Sequence, residues 1–450
     1  MNNFFEITIP DDVQYIINVL ESSKFKAFIV GGCVRDSLLG LDKSSNDWDI
    51  TTDAKPADIQ KLFDKSIDTG IKHGTVTVIL NKKAYEITTF RIDGNYSDNR
   101  RPDYVEYTTN IEDDLSRRDF TVNAMAFNSS TGLIDSYNGR EDISKKIIRC
   151  VGDPDKRFQE DALRMLRAIR FSAKLGFEIE EKTLNSLKAN SILIRNVSTE
   201  RIRDELTGII MSDNPKKLSI LHDSGILKLI LPELDLCFTV AQNTPYHIYN
   251  VGEHSLVATS NVKNTKILRW AMLLHDIGKP LSKITVNGID HFLGHATKSA
   301  DLAEEVLKRL KFDNYSIQRI IAIIVNHSAQ IKPLGKSVRQ FLNKLGSDTF
   351  QDILEVQLAD SRAKSLLVID KKLQFINQTK DVLTQELKSN HCYSIDTLAI
   401  NGNDLIEIGF KKGLLLGQVL NLLLQVVIAY PEQNKKDLLL VKALKYLPKK

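Results

Sequence analysis

The chain has 450 residues, 42% of them apolar and 26% charged, with a formal net charge of +4. This composition excludes a disordered or low-complexity chain, and the length suits roughly three domains. A positive charge this mild permits a nucleic-acid partner without demanding one.

The N-terminal stretch MNNFFEITIPDD is acidic and lacks a basic region followed by an apolar run, so no signal peptide is expected. The compact apolar run FKAFIV (25–30) predicts a strand, followed by a Gly31–Gly32 turn and a short helix from near Val34. Paired glycines let the backbone approach a ligand closely, and free N–H groups at a helix start suit an anion. Arg35 can add a charge-assisted bond to phosphate.

The next segment, SSNDWDITTD (44–53), reads as extended and sets Asp47 and Asp49 at i and i+2, on one face of a strand. Two carboxylates on one face repel unless a cation lies between them. Mg²⁺ suits the pair, because it typically takes one or two carboxylates together with substrate phosphates. The order of phosphate cradle and then carboxylates points to phosphate transfer.

Further along, a helix is expected from near Lys55, then strands GTVTVIL and AYEITTFR joined by the polar hairpin NKKA. DGNYSDNRRPD (93–103) reads as an exposed loop. After about residue 155 strand signals stop. RFQEDALRMLRAIRFSAKLGF (157–177) predicts one helix closed by Gly176, and nearly every later segment reads as helical. The fold class expected is therefore α+β, a head with a small mixed sheet on a long all-helical body.

GLLLGQVLNLLLQVVIAY (413–430) is interrupted by Gln418, Asn421 and Gln425, which favours a buried amphipathic helix over a membrane span. Arginines cluster at Arg100–Arg101, at Arg117–Arg118 and along Arg164, Arg167 and Arg170. The tail carries Lys435, Lys436, Lys442, Lys445, Lys449 and Lys450, as solubilising surface or as a backbone-binding patch. Cys33, Cys150, Cys237 and Cys392 form no CxxC pair and read as unpaired thiols in a reducing cytoplasm.

IVGGCVRDSLLG with NDWDI resembles the head of the class II tRNA nucleotidyltransferases (CCA-adding enzymes) and bacterial poly(A) polymerases. The family's later motifs follow in order: RRDFTVNAMAF (117–127), LIDSYNGREDI (133–143), RFQEDALRMLRAIRF (157–171) and ERIRDEL (200–206). The resemblance spans nearly the whole chain. It implies a polymerase-beta-like nucleotidyltransferase head at 1–150, a nucleotide-selecting and RNA-binding neck at 151–238, an HD domain at 239–370 and a tRNA-binding tail at 371–450. The activity implied is Mg²⁺-dependent transfer of CMP and AMP from CTP and ATP to the tRNA 3′ hydroxyl, releasing pyrophosphate.

By the same resemblance Asp47 and Asp49 are the catalytic metal ligands. Gly32, Arg35, Arg118, Asn123, Asp161, Arg164, Arg167 and Arg170 bind the nucleotide, Arg118 near the triphosphate and Asn123 near the sugar. A carboxylate that accepts from an exocyclic amino group, beside a guanidinium that donates to a ring nitrogen, fits C and A and rejects U and G. Asp161 and Arg164, three apart on the expected helix, would form that pair. Asp119 is either a further carboxylate near the metals or the partner of an arginine. Family members that add only two cytidines are expected to lack a loop after the catalytic strands, so the full-length loop at 93–103 favours complete CCA addition, while an A-adding enzyme and a poly(A) polymerase, which share the same head, stay as alternatives.

His254, His275–Asp276, His295, His327 and Asp360 follow the order of the HD phosphohydrolase superfamily. That resemblance implies a second divalent metal on His254, His275, Asp276 and Asp360, with His295 and His327 as supports or as a second metal site. His247 and His291 fall outside this array. The alternatives are an accessory hydrolase of RNA ends, a spacer that keeps the array unused, or, from another class, an HD phosphohydrolase whose head only senses nucleotide.

Overall fold

The computed structural model describes residues 7–41, 48–70, 73–96 and 102–447. The chain divides into two compact units, Met1–Pro232 and Glu233–Lys450.

In the first unit, helix α1 (Asp11–Ser22) buries Val13, Ile16, Ile17 and Leu20, the one-faced spacing of an amphipathic helix. Strand β1 (Ala27–Val30) is buried at all four positions, as a central strand must be. It leads through Gly31 into α2 (Gly32–Leu38). β2 (Ile50–Thr52), α3 (Pro56–Leu62), β3 (Ser66–Gly70), β4 (Thr75–Leu80) and β5 (Lys83–Thr89) follow. Asn81 and Lys82, both at positive φ, make the two-residue turn whose twist matches a β4–β5 hairpin.

β6 (Arg91–Asp93) and β7 (Val105–Tyr107) form a separate ribbon, and β8 (Ala126–Asn128) and β9 (Gly132–Ile134) complete the main sheet. The sheet order is β3-β4-β5-β2-β1-β8-β9, with β2 parallel to β5 and the other neighbours antiparallel, so the sheet is mixed as expected. The pairing Ile29↔Ile50, extended by the bond from Val30 N–H to the Asp49 carbonyl (3.0 Å), fixes Asp49 beside the β1–α2 turn.

Helices α4 (Ile111–Ser116) and α5 (Gly139–Lys145) complete the head. The single helix expected over 157–176 is in fact two, α6 (Pro154–Glu160) and α7 (Leu163–Leu175). Asp161 breaks the run in an extended conformation (φ −139°, ψ 105°), and its side chain accepts from Leu163 N–H (3.0 Å) at the start of α7. Local side-chain capping has won over helix continuation. Gly176, at φ 70°, closes α7 as expected. α8 (Glu181–Ala189) and α9 (Thr199–Ile210) follow.

The second unit has α10 (Val251–Asn261), α11 (Lys266–Leu274), α12 (His295–Arg309), α13 (Asn314–Asn326), α14 (Gly335–Arg362), α15 (Leu366–Lys388) and α16 (Leu414–Ala429). It is not all-helical. β10 (Lys283–Val286) and β11 (Ile289–Phe292) form a hairpin around Asn287–Gly288, both at positive φ. The Asn-Gly pair inside an alternating run was its signal in the sequence. α16 buries Val419, Leu420, Leu423, Leu424, Val427 and Ile428 while Leu414 stays exposed, as an amphipathic helix does. Among the described residues no helix is long and apolar enough to cross a membrane. All four cysteines are buried free thiols.

Candidate active site and metal centre

The β1–α2 turn gathers the first group. Gly31 sits at φ 82°, and a Cβ there would lie 2.9 Å from Arg118 Nη1 and 4.0 Å from Asp49 Oδ2. Only glycine allows both the conformation and the close approach. Asp49 is therefore presented next to a guanidinium at the mouth of the turn. Asp47, the other carboxylate of the expected pair, lies outside the described residues, as do Arg100 and Arg101 of the loop.

From α2, which begins at Gly32, buried Arg35 donates to Asn123 Oδ1 and is ion-paired with Asp36 at 2.7 Å. Asn123, in a tight turn at Thr121–Asn123, donates in its turn to Asp119 (3.2 Å). Asp119 is the partner of Arg167 at 2.7 Å, the arginine pairing that one of its two sequence readings expected. Burial alone would raise the Asp119 carboxyl, but Arg167 and Arg164 outweigh it and hold the pKa at about 2.

The second group lines a cleft of about 770 Å³ that contains Asp161 and Arg164 with Arg91, Asp93, Tyr96 and Arg117. Asp161 and Arg164 share this cleft but are not neighbours on one helix face, since Asp161 precedes α7. Asp161 pairs with Arg201 of α9 (2.8 Å), while Arg164 pairs with Glu160 (2.7 Å) and donates to the Arg117 carbonyl (3.0 Å). The step from Arg117 to Arg118 thus joins the cleft to the glycine turn. Arg170 is held by Glu205 at 2.6 Å, and the missing side chain of Gly208 gives its stem room.

Sequence reasoning missed Asp114, Arg91, Asp93 and Arg201. Asp114 is fully buried and pairs with Arg117 (2.7 Å) and Arg118 (3.5 Å). Its i,i+3 and i,i+4 spacing to both arginines was a readable signal.

In the second unit, five helices deliver the histidine–aspartate array. His254 comes from α10, His275 ends α11, His295 begins α12, His327 ends α13 and Asp360 lies on α14. The Nδ1 atoms of His275, His295, His327 and His254 face the carbonyls of Met272 (2.7 Å), Phe292 (2.7 Å), Ile324 (2.6 Å) and Ala363 (3.3 Å). A carbonyl only accepts, so each neutral imidazole keeps its proton on Nδ1 and turns a lone pair on Nε2 inward.

Those lone pairs converge on carboxylates. His254 Nε2 is 3.0 Å from Asp360 Oδ1, His275 Nε2 is 3.0 Å from Asp276 Oδ2, and His295 and His327 Nε2 are 3.6 and 3.8 Å from Asp276 Oδ1. Neither Asp276 oxygen, nor His275 Nε2, makes a hydrogen bond, although Lys279 Nζ lies 2.7 Å from Oδ2. Acceptors facing acceptors in a buried site call for positive charge; Lys279 supplies some of it to Asp276, and the imidazole and carboxylate donors that converge there fit a divalent metal as well.

Two triads could each hold one ion, His254–His275–Asp276 and Asp276–His295–His327. Burial holds the His254 and His295 imidazoles below their usual range and His327 at about 3, so all three are ready as neutral ligands.

His247, expected outside the array, is packed edge-on against His254, with ring centroids 5.6 Å apart. Thr244 holds its Nδ1 at 2.7 Å, and burial with nearby Lys279 lowers its pKa to about 3. Lys364 and Lys372 reach Asp360 at 2.6 and 3.5 Å. A cavity of about 740 Å³ opens over the array, between Phe292 and Phe375.

Comparison with known proteins matches residues 27–149 to the poly A polymerase head domain, 176–237 to the probable RNA and SrmB- binding site of polymerase A, and 245–365 to the HD domain. The CCA-adding enzyme of Lactobacillus helveticus (strain DPC 4571) is 33% identical over 424 residues, 94% of each chain. That of Ligilactobacillus salivarius (strain UCC118) is 33% identical over 449 residues, 98% of each. The crystal structure of Bacillus stearothermophilus CCA-adding enzyme in complex with CTP superposes with a TM-score of 0.71 at 28% identity, covering 97% of this chain and 98% of that one. With relatives 33% identical over 94% and 98% of both chains, this chain belongs to the family of CCA-adding enzymes.

Proposed function

We propose that the protein completes the 3′ end of tRNA, adding C, C and A from CTP and ATP without a nucleic-acid template and releasing pyrophosphate. The observation that carries this reading is the convergence of Asp49, Gly31 and Arg118, joined through Arg117 to the cleft of Asp161 and Arg164. Mg²⁺ on Asp49 and Asp47 would neutralise charge developing on the phosphates. Arg35, Arg118, Arg167 and Arg170 bind the triphosphate, Asn123 orients the sugar, and Asp161 with Arg164 selects the base. The neck and tail grip RNA by shape and phosphate contacts. Four buried thiols suit a reducing cytoplasm.

The test is incubation with tRNA lacking its 3′ end, with CTP and ATP singly and together. No incorporation would sink the transferase reading, and ATP addition alone onto a tRNA ending in CC would identify an A-adding enzyme. Asp49→Ala should lower incorporation by roughly three orders of magnitude, the several kcal/mol of charge stabilisation a metal supplies, with tRNA binding retained. Retained turnover would overturn the metal assignment.

The converging Nε2 atoms favour a second reading, an accessory hydrolysis of phosphomonoesters or 2′,3′-cyclic phosphates at RNA ends. A divalent metal on His254, His275, Asp276 and Asp360 would activate water, and a second ion has Asp276, His295 and His327. Lys279, Lys364 and Lys372 hold the phosphate. Metal content of the purified chain, with and without His275→Ala, tests the ligands independently of turnover.

A further inference from the structure

The sequence analysis assigns no role to Phe171, yet three guanidiniums of the nucleotide site surround its ring. The central carbons of Arg170, Arg35 and Arg167 lie 4.4, 5.1 and 5.4 Å from the ring centroid. Two of these arginines share α7 with Phe171, and the third comes from α2 behind the glycine turn. The ring is 6% exposed and is fixed edge-on by Phe120, with centroids 5.8 Å apart at 76°.

We propose that Phe171 is a positioning residue for the nucleotide triphosphate, an aromatic hub that holds Arg35, Arg167 and Arg170 in one arrangement between head and neck. Three like charges around one small ring repel. Part of that repulsion is met by a carboxylate on each arginine: Asp36 (2.7 Å), Asp119 (2.7 Å) and Glu205 (2.6 Å). More carboxylates would occupy more N–H donors and oppose a polyanionic ligand. A ring attracts cations through its quadrupole and takes no N–H from the planar fork, so the unused donors stay available to phosphate oxygens. The hub also couples α2 to α7 in the apo protein, which lowers the ordering cost when nucleotide binds.

The inference rests on the nucleotidyl-transfer reading. Wild-type incorporation of CTP and ATP tests that reading, and a series of ring variants in the same assay tests this one. Phe171→Leu should raise KM for CTP and for ATP by about tenfold, the scale of one to three weakened cation–π contacts, with kcat and the C/A over U/G choice nearly unchanged. Phe171→Tyr should restore KM. Replacing Phe171 with phenylalanines carrying one, two and three ring fluorines weakens the quadrupole at nearly constant volume, so these variants fold even where Phe171→Leu does not. KM should climb with each fluorine while the melting temperature falls by only a few degrees. A KM that is flat across the fluorine series, or a Phe171→Tyr variant as impaired as Phe171→Leu, overturns the proposal.

Discussion

At the residue scale, Asp119, Asp161 and Glu205 of the site each already hold an arginine. Asp161 is held by Arg201 and caps α7, so it must exchange or share these partners to accept from a base amino group. Asp161→Ala should therefore have two separable effects. Loss of the cap should cost about 1 kcal/mol of stability, and loss of the acceptor should relax C and A against U and G by roughly 10–100-fold. Misincorporation assays with each of the four nucleotides read the second effect. A uniform fall with the ratios intact would make Asp161 a cap and nothing more.

Asp119 gives the pH counterpart. Its folded pKa of about 2 lies below the ordinary carboxylate value of 3.8, so its share of stability is full above the unfolded pKa and is lost as pH falls through about 2. That share is on the order of 2 kcal/mol. The urea midpoint of Asp119→Asn should trail wild type at pH 7, and the gap should close between about pH 4 and pH 2. A gap constant across that window would mean that the pair with Arg167 is not the source.

At the element scale, the termini of the helices do most of the placing. His275 ends α11, His295 starts α12 and His327 ends α13, so small shifts of these helices move the candidate ligands directly. Gly278 makes a close backbone approach to α12. A Cβ there would meet Ser299 N at 2.5 Å and the His295 carbonyl at 2.8 Å, both backbone atoms of α12. Gly278→Ala should push α12 and His295 away, weakening metal binding in calorimetric titration by at least tenfold, alongside the roughly 1–3 kcal/mol usual for overpacking. Unchanged metal affinity would show that α12 carries no ligand.

The same elements explain what the sequence could reveal. The β1–α2 turn was legible because an apolar run, two glycines and an arginine all point one way. The break at Asp161 was not, because the apolar spacing of Phe158, Leu163, Leu166 and Ile169 passes through it and the rival bond is a local cap. The histidine order disclosed the array. His247 was hidden, because a loop, through Thr244, carries it to His254 with no periodic signal to mark it.

At the scale of the whole molecule, each unit has a core of its own. One surrounds Ile16, Ile29 and Ile87, and another, in the second unit, surrounds Leu405, Val419 and Leu423. The candidate sites divide in the same way, with a carboxylate-and-arginine cluster in the first unit and an imidazole-rich cluster in the second. Oxygen ligands favour Mg²⁺, whereas imidazoles favour transition metals. Calorimetry should therefore resolve two unfolding transitions that answer to different ligands. CTP with Mg²⁺ at a hundredfold excess over Kd adds about 2.7 kcal/mol to the state that binds it, enough to raise that transition by several degrees. Mn²⁺ without nucleotide should raise the other, and a chelator should reverse it while the first stays in place. One transition moved equally by both ligands would show that the two sites share a single cooperative unit.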